Sequence, residues 1–217
     1  MKLTREDVRA MVDALPEGYK TKDLDGIIAR LVREKADVSA LRPHILTEQD
    51  LHRIYFYVSL KQIKDVRARM RFIDENLLFS DWWHTDPLIH FVADMDFSEA
   101  LVFAERYVVS EDPYIRRWGY VLFISTKLCR GHVGQILPLI KNDPAYTVQM
   151  AEAWLISELA IFEPAAVLDW MRENGLSYAV NGKAIQKICD SFRISDADKE
   201  AFKVLRPALK SNPAGER

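Results

Sequence analysis

The stretch YTVQMAEAWLISELAI, Tyr146 to Ile161, decides the fold class. Val148, Ala151, Trp154, Leu155 and Glu158 recur in it at i, i+3 and i+4, the spacing that lines one face of an α-helix. Taken alone it is a packed helix with Trp154 as a core or edge aromatic. Outward from it, the pattern continues in both directions. From Thr4 onward, segments of about 10 to 17 residues repeat apolar residues at helical spacing, separated by short breaks of Pro, Gly, Asn or Asp. Clear strand signals are absent.

Capping residues mark several starts. Thr4 precedes Arg5, Glu6 and Asp7, Thr47 precedes Glu48, Gln49 and Asp50, and Ser195 precedes Asp196 and Asp198. Each is an oxygen acceptor followed by first-turn carboxylates that suit the positive end of the helix dipole. The pattern predicts helices near 4–15, 22–34, 47–58, 61–78, 83–94, 97–109, 113–128, 132–141, 145–161, 164–174, 177–191 and 196–209. Short amphipathic helices joined by tight links cannot bury their apolar faces alone. The expectation is therefore an all-α, HEAT-like helical repeat solenoid, an α-α superhelix with a concave groove, in a single domain over residues 1–210. The polar tail 211–217, SNPAGER, is expected to fray.

Of the 217 residues, 49% are apolar and 29% charged, with eight glycines, which supplies a large core and few of the turns a many-stranded sheet needs. No stretch approaches the roughly 18 to 20 uninterrupted apolar residues of a membrane span, and the start MKLTREDVRA lacks an apolar signal region, so a cytoplasmic protein is expected. The formal net charge of −2 means the whole molecule is no electrostatic magnet for phosphate, while a local basic face stays open. Cys129 and Cys189 have neither the number nor the spacing of a disulfide framework or zinc site and read as reduced core residues.

Four stretches could carry chemistry. In FSDWWHTDPLIHF, Phe79 to Phe91, two tryptophans, two histidines and two acids meet where a loop runs into a helix. Asp81 could cap that helix, or Asp86 and Pro87 could form a turn and first helical position. In EDPYIRRWGYVLFIS, Glu111 to Ser125, Pro113 suits a helix start, and Arg116 and Arg117 point about 100° apart, so at most one faces a given groove. The plain alternative is a solvated charge, or an arginine covering apolar surface. The third is the helix around Trp154. In the fourth, KQIKDVRARMR, Lys61, Lys64, Arg67 and Arg71 step by three, three and four along one predicted helix face, either a solvated face or a phosphate-binding one.

Missing signatures narrow the chemistry. There is no Gly-rich phosphate loop, HExxH, CxxC or Gly-x-Ser-x-Gly elbow, which removes most of the case for nucleotide hydrolysis, zinc chemistry and hydrolase-elbow chemistry. His84 and His90 are six apart, not the i, i+4 spacing of paired metal ligands on a helix. No metal is expected.

Taken in order, WWHTDPL at Trp82 to Leu88, DPYIRRWGYVLF at Asp112 to Phe123 and TVQMAEAWLISEL at Thr147 to Leu159 resemble the AlkD-like DNA alkylation repair family, over roughly residues 60–200. That resemblance implies a HEAT-like solenoid that holds duplex DNA in its groove. It implies a DNA glycosylase, a hydrolase of the N-glycosidic bond of N3- or N7-alkylated purines. Such a base is already cationic and leaves readily, so the protein has mainly to stabilise an oxocarbenium-like sugar and position water. Residue by residue, Trp83 matches the first family tryptophan, Arg117 the family arginine and Trp154 the second tryptophan. The family aspartate falls four positions after its first tryptophan, where this chain has Pro87, and Asp86 stands one residue early. Ser157 occupies a place where the family commonly has arginine.

The expectations are therefore Asp86 as the electrostatic acid, Trp83 and Trp154 facing the lesion, and Arg117 on phosphate. Lys61, Lys64, Arg67 and Arg71 are candidate contacts to the DNA backbone. No cofactor and no metal are implied, and the expected partner is duplex DNA, with the protein a monomer. Two other readings stand beside this one: a non-catalytic binder of distorted or branched DNA, and a HEAT-like scaffold for a protein partner.

Overall fold

The computed structural model describes residues 1–211, so all of the polar tail but Ser211 lies outside the described residues. The chain is all-α. Among the described residues the one β feature is an isolated bridge between Lys2 and Asp37. The contacts gather into two compact units, Met1–His84 and the chain from Thr85 onward, where the sequence suggests one domain.

In the first unit, α1 (Arg5–Asp13) starts on a complete capping box, the Thr4 hydroxyl accepting from the Asp7 amide and the Asp7 carboxylate accepting from the Thr4 amide. Next come α2 (Leu24–Arg33), α3 (Gln49–Gln62) and α4 (Val66–Asp74), with 3-10 turns at Thr21–Asp23 and Ser39–His44. Thr47 does not cap α3. Its hydroxyl donates to the His44 carbonyl, and Glu48 takes the capping position.

The break predicted at 59–60 lies instead at 63–65, so α3 takes Lys61 and Gln62 and α4 covers only Val66–Asp74. Asp65 accepts from the Ala68 amide and so opens α4. Arg69 donates to the carbonyls of Leu60 and Ile63 at the end of α3, closing off groups left without helical partners. Lys61 ends α3 and Lys64 lies in the linker, whereas Arg67 and Arg71 belong to α4; all four are exposed. The single four-cation helix face is thus corrected to two short groups.

The two units meet in the chain within α5 (Trp82–Thr85). Pro87 has no N–H for the α-helical ladder, so the helix tightens to 3-10 geometry over Asp86–Leu88 before α6 (Ile89–Val92). The second unit continues with α7 (Phe97–Tyr107), α8 (Pro113–Val121), α9 (Thr126–Cys129) and α10 (Val133–Ile136), then a 3-10 turn at Leu137–Leu139. It ends with α11 (Tyr146–Leu159), α12 (Pro164–Glu173), α13 (Tyr178–Asp190) and α14 (Asp196–Lys210). Helix α11 packs on α8 and on α13, α7 on α8, and α14 on both α12 and α13. Buried residues surround most of α11, including Val148, Ala151, Leu155, Ile156 and Leu159. Ser195 caps α14 as its sequence predicts.

The α7–α8 contact depends on Gly119. A Cβ there would stand 2.9 Å from Val108 Cγ1, 3.0 Å from Tyr107 Cβ and 3.1 Å from the Val108 backbone nitrogen. Because one of these neighbours is backbone, Gly119→Ala is expected to lower stability by about 1–3 kcal/mol, the usual cost of overpacking. A urea midpoint equal to wild type would contradict this close approach.

Candidate functional site

Asp86 and Arg117 are brought together in the second unit. Helix α8 begins at Pro113, with Asp112 accepting from the amides of Tyr114 and Ile115. That start places Arg116 and Arg117 on adjacent faces, each held by its own carboxylate. Arg117 grips Asp86 as a fork, Nε to Oδ1 at 3.0 Å and Nη2 to Oδ2 at 2.7 Å, and its Nη1 donates to the Thr147 carbonyl at 2.6 Å. Arg116 pairs with Asp143, Nε to Oδ2 at 2.6 Å and Nη2 to Oδ1 at 3.1 Å, and its Nη1 reaches the Ser110 and Glu111 carbonyls. Neither is a solvated charge. The side chains of Arg117 and Asp86 are 6% and 15% exposed.

Asp86 is also held from its own chain. The Thr85 hydroxyl donates to Oδ1 at 2.9 Å, so Oδ1 accepts two hydrogen bonds and Oδ2 one. A carboxylate offers about four lone-pair directions, which leaves one direction on Oδ2 open. Asp86 is therefore no cap for its 3-10 turn, which has no side-chain cap. The local residue that touches solvent-side amide is Asp81, whose Oδ1 accepts from the Trp82 amide.

Trp154 is half-buried on α11. It lies seven residues after Thr147, nearly two full turns, so both positions share one side of α11, about 10 Å apart along its axis. Ser157 gives its hydroxyl to the Trp154 carbonyl at 2.7 Å and is buried. Glu152 is wholly buried in α11 with neither carboxyl oxygen in a regular hydrogen bond. The Tyr120 hydroxyl beside it donates instead to the Leu139 carbonyl at 3.2 Å. Burial first, then the charge of Asp143, push Glu152 up to about 8, with Tyr120, the Lys141 amide and Arg116 pulling the other way.

Trp83 belongs to the first unit, where its ring meets two buried histidines. Its centroid is 5.5 Å from that of His52 and 3.6 Å from that of His84, both edge to face. The two histidines stack on each other at 3.7 Å. The Ser80 amide donates to His84 Nδ1 at 3.0 Å, which leaves the ring proton on Nε2, and both Nε2 atoms lack partners. Burial, then the charge of His84, lower His52 to about 2; burial lowers His84 to about 4 against the pull of Asp81. Of the two adjacent tryptophans, Trp82 is the open one, 57% exposed.

Unfolded histidine titrates near 6.5. Below that pH the unfolded chain takes up protons that the folded one refuses, so the first unit loses stability as pH falls from about 6.5 towards 4, by up to about 1.4 kcal/mol per histidine per unit. Replacing His52 with phenylalanine is expected to flatten that acid loss. An unchanged difference between urea midpoints at about pH 7 and about pH 5 would show that the pair is not its source.

Cys129 is buried with its thiol on the Phe123 carbonyl, and burial raises it to about 12; Cys189 is half-buried. Among the described residues no three His, Cys, Asp or Glu side chains gather where they could hold a metal ion, and no helix is long and apolar enough to cross a membrane.

Thr85 and the Thr147 carbonyl, which hold Asp86 and Arg117, and Asp143 and Glu152 around Arg116 are residues that spacing does not single out. Glu152 alone left a signal, falling four residues after Val148 and three before Leu155, on a buried side of the helix.

The arginine-held aspartate and the half-buried tryptophan of α11 thus sit in an all-helical protein. The chain matches the family described as DNA alkylation repair enzyme over residues 22–188 and belongs to it. Its function lies in DNA alkylation repair. No curated protein and no solved structure matches the chain.

Proposed function

We propose that this protein is a DNA glycosylase that hydrolyses the N-glycosidic bond of N3- or N7-alkylated purines in duplex DNA, with Asp86 as the group that stabilises the developing sugar cation. The observation that carries this is the Asp86 carboxylate. It is fixed by Arg117 and Thr85 and retains one open acceptor direction on Oδ2. An acceptor already oriented needs no reorganisation as positive charge develops on the sugar, or can orient the attacking water. The bond to the base breaks with its electrons going to the cationic purine, which leaves neutral. Water adds to the sugar carbon and its proton passes to solvent or Asp86.

Arg117 is assigned to positioning rather than to phosphate. Three of its five N–H donors are engaged and its side chain is 6% exposed. On the tryptophan pair, exposure favours Trp82 over Trp83 as the aromatic that meets DNA, and Trp82 stands four residues before Asp86. Trp154 keeps its lesion-side assignment. Lys61, Lys64, Arg67 and Arg71 remain exposed candidates for backbone phosphates. Because no acid is needed for a leaving group that is already charged, the wild type is expected to release N7-methylguanine from duplex DNA and not uracil, a neutral base. Equal release of both, or of neither, would refute the proposal.

The heavy use of Asp86 by Arg117 favours one other reading, a DNA binder without turnover. It predicts salt-sensitive binding to alkylated duplex with no base release.

A further inference from the structure

The C-terminal half of α11, the end of α13 and the following loop line an open surface hollow of about 350 Å³, within the roughly 300–1,000 Å³ range of small-ligand sites. Its walls include Trp154, Ser157, Glu158, Lys187, Phe192 and Arg193. Phe192 is 93% exposed, more than any other large apolar side chain of the described residues. A lone exposed apolar ring is ordinary; one beside a pocket with a second aromatic wall is not.

The charges are unequal in availability. Glu158 is paired with Arg193 Nη2 at 2.5 Å, and Asp190 accepts from the Gln186 amide at 2.9 Å and 3.1 Å. Arg193 is 42% exposed at its side chain and has engaged one of its donors. Lys187 makes no hydrogen bond or ion pair among the described residues. Both carboxylates thus hold hydrogen bonds, Glu158 from a guanidinium and Asp190 from a neutral amide, while one ammonium and most of the donors of one guanidinium remain open, beside two aromatic faces. That set fits a base stacked on a ring with its phosphate on a cation.

We propose that this pocket holds one unstacked nucleotide of a DNA strand, its base against Phe192 and Trp154 and its phosphate on Lys187 and Arg193. The inference rests on the DNA reading above and adds Phe192, Lys187 and Arg193 to it. Trp154 shares one side of α11 with Thr147, whose carbonyl holds Arg117, about 10 Å away along the axis.

The test uses the full chain and a duplex carrying one bulged 2-aminopurine, whose emission falls when it stacks on an aromatic ring. The uninterrupted duplex is the reference. Wild type is expected to quench the bulged base and to bind that duplex more tightly than the reference. Phe192→Ser should abolish the quenching and weaken bulge binding about tenfold, the size of one base–aromatic stack. Lys187→Ala should reduce the salt dependence of binding by about one phosphate contact. Phe192 is on the surface, so loss of folding does not complicate the variant. Equal quenching and affinity in wild type and Phe192→Ser would overturn the proposal, as would a wild type with no preference for the bulge. Failure of the glycosylase reading looks different: no release of N7-methylguanine by wild type, with bulge binding and its dependence on Phe192 intact.

Discussion

Arg117→Leu is expected to destabilise the second unit by about 3–5 kcal/mol, the cost of leaving one partner of a buried ion pair uncompensated. Asp86 would keep a single hydrogen bond, from Thr85, and the Thr147 carbonyl would lose its donor. The double variant Arg117→Leu with Asp86→Leu should recover most of that loss, because removing both charges of a buried pair is often close to neutral. If the single and double variants unfold at the same urea concentration, the fork between these residues is not what holds α8 to the 3-10 turn.

The second large effect comes from Glu152. Its carboxyl has a folded value near 8 against 4.5 when unperturbed, so the sign is that of a raised acid. Below pH 4.5 both states are protonated and no penalty exists. Above it the unfolded chain releases a proton that the fold retains, and stability declines until pH reaches about 8. At about 1.4 kcal/mol per unit the total approaches 5 kcal/mol. Glu152→Gln keeps the shape without the acid, so it is expected to match wild type at acid pH and to exceed it by several kcal/mol above pH 8. Parallel stability profiles for the two proteins would show that Glu152 is already ionised in the fold.

What could be read from the residues was decided by period and caps. The α11 helix and the Thr4 and Ser195 caps are found as expected, because they depend on neighbours within one turn, although α11 is buried on most sides rather than along one stripe. The break expected at 59–60 falls at 63–65 because it is made by Asp65 and by Arg69 reaching back to Leu60 and Ile63, contacts that apolar spacing does not register. The same limit applied at the site. Asp86 and Arg117 are legible as residues, but their pairing spans 31 positions, out of reach of any spacing rule, and it is this pairing that supports the proposed positioning role of Arg117. Motif resemblance points to Trp83, whereas its ring contacts with His52 and His84 and the 57% exposure of Trp82 are long-range facts that the motif does not carry. Phe192 had no periodic signal at all, lying in a loop where exposure alone marks it.

The most direct measurement is single-turnover release of N7-methylguanine from duplex DNA by wild type and by Asp86→Asn, at equal folded protein. The amide keeps the shape of the carboxylate and removes its charge, and the predicted rate falls by about 100-fold or more, as for loss of one preorganised electrostatic group. Equal rates in the two proteins would contradict the role given to Asp86.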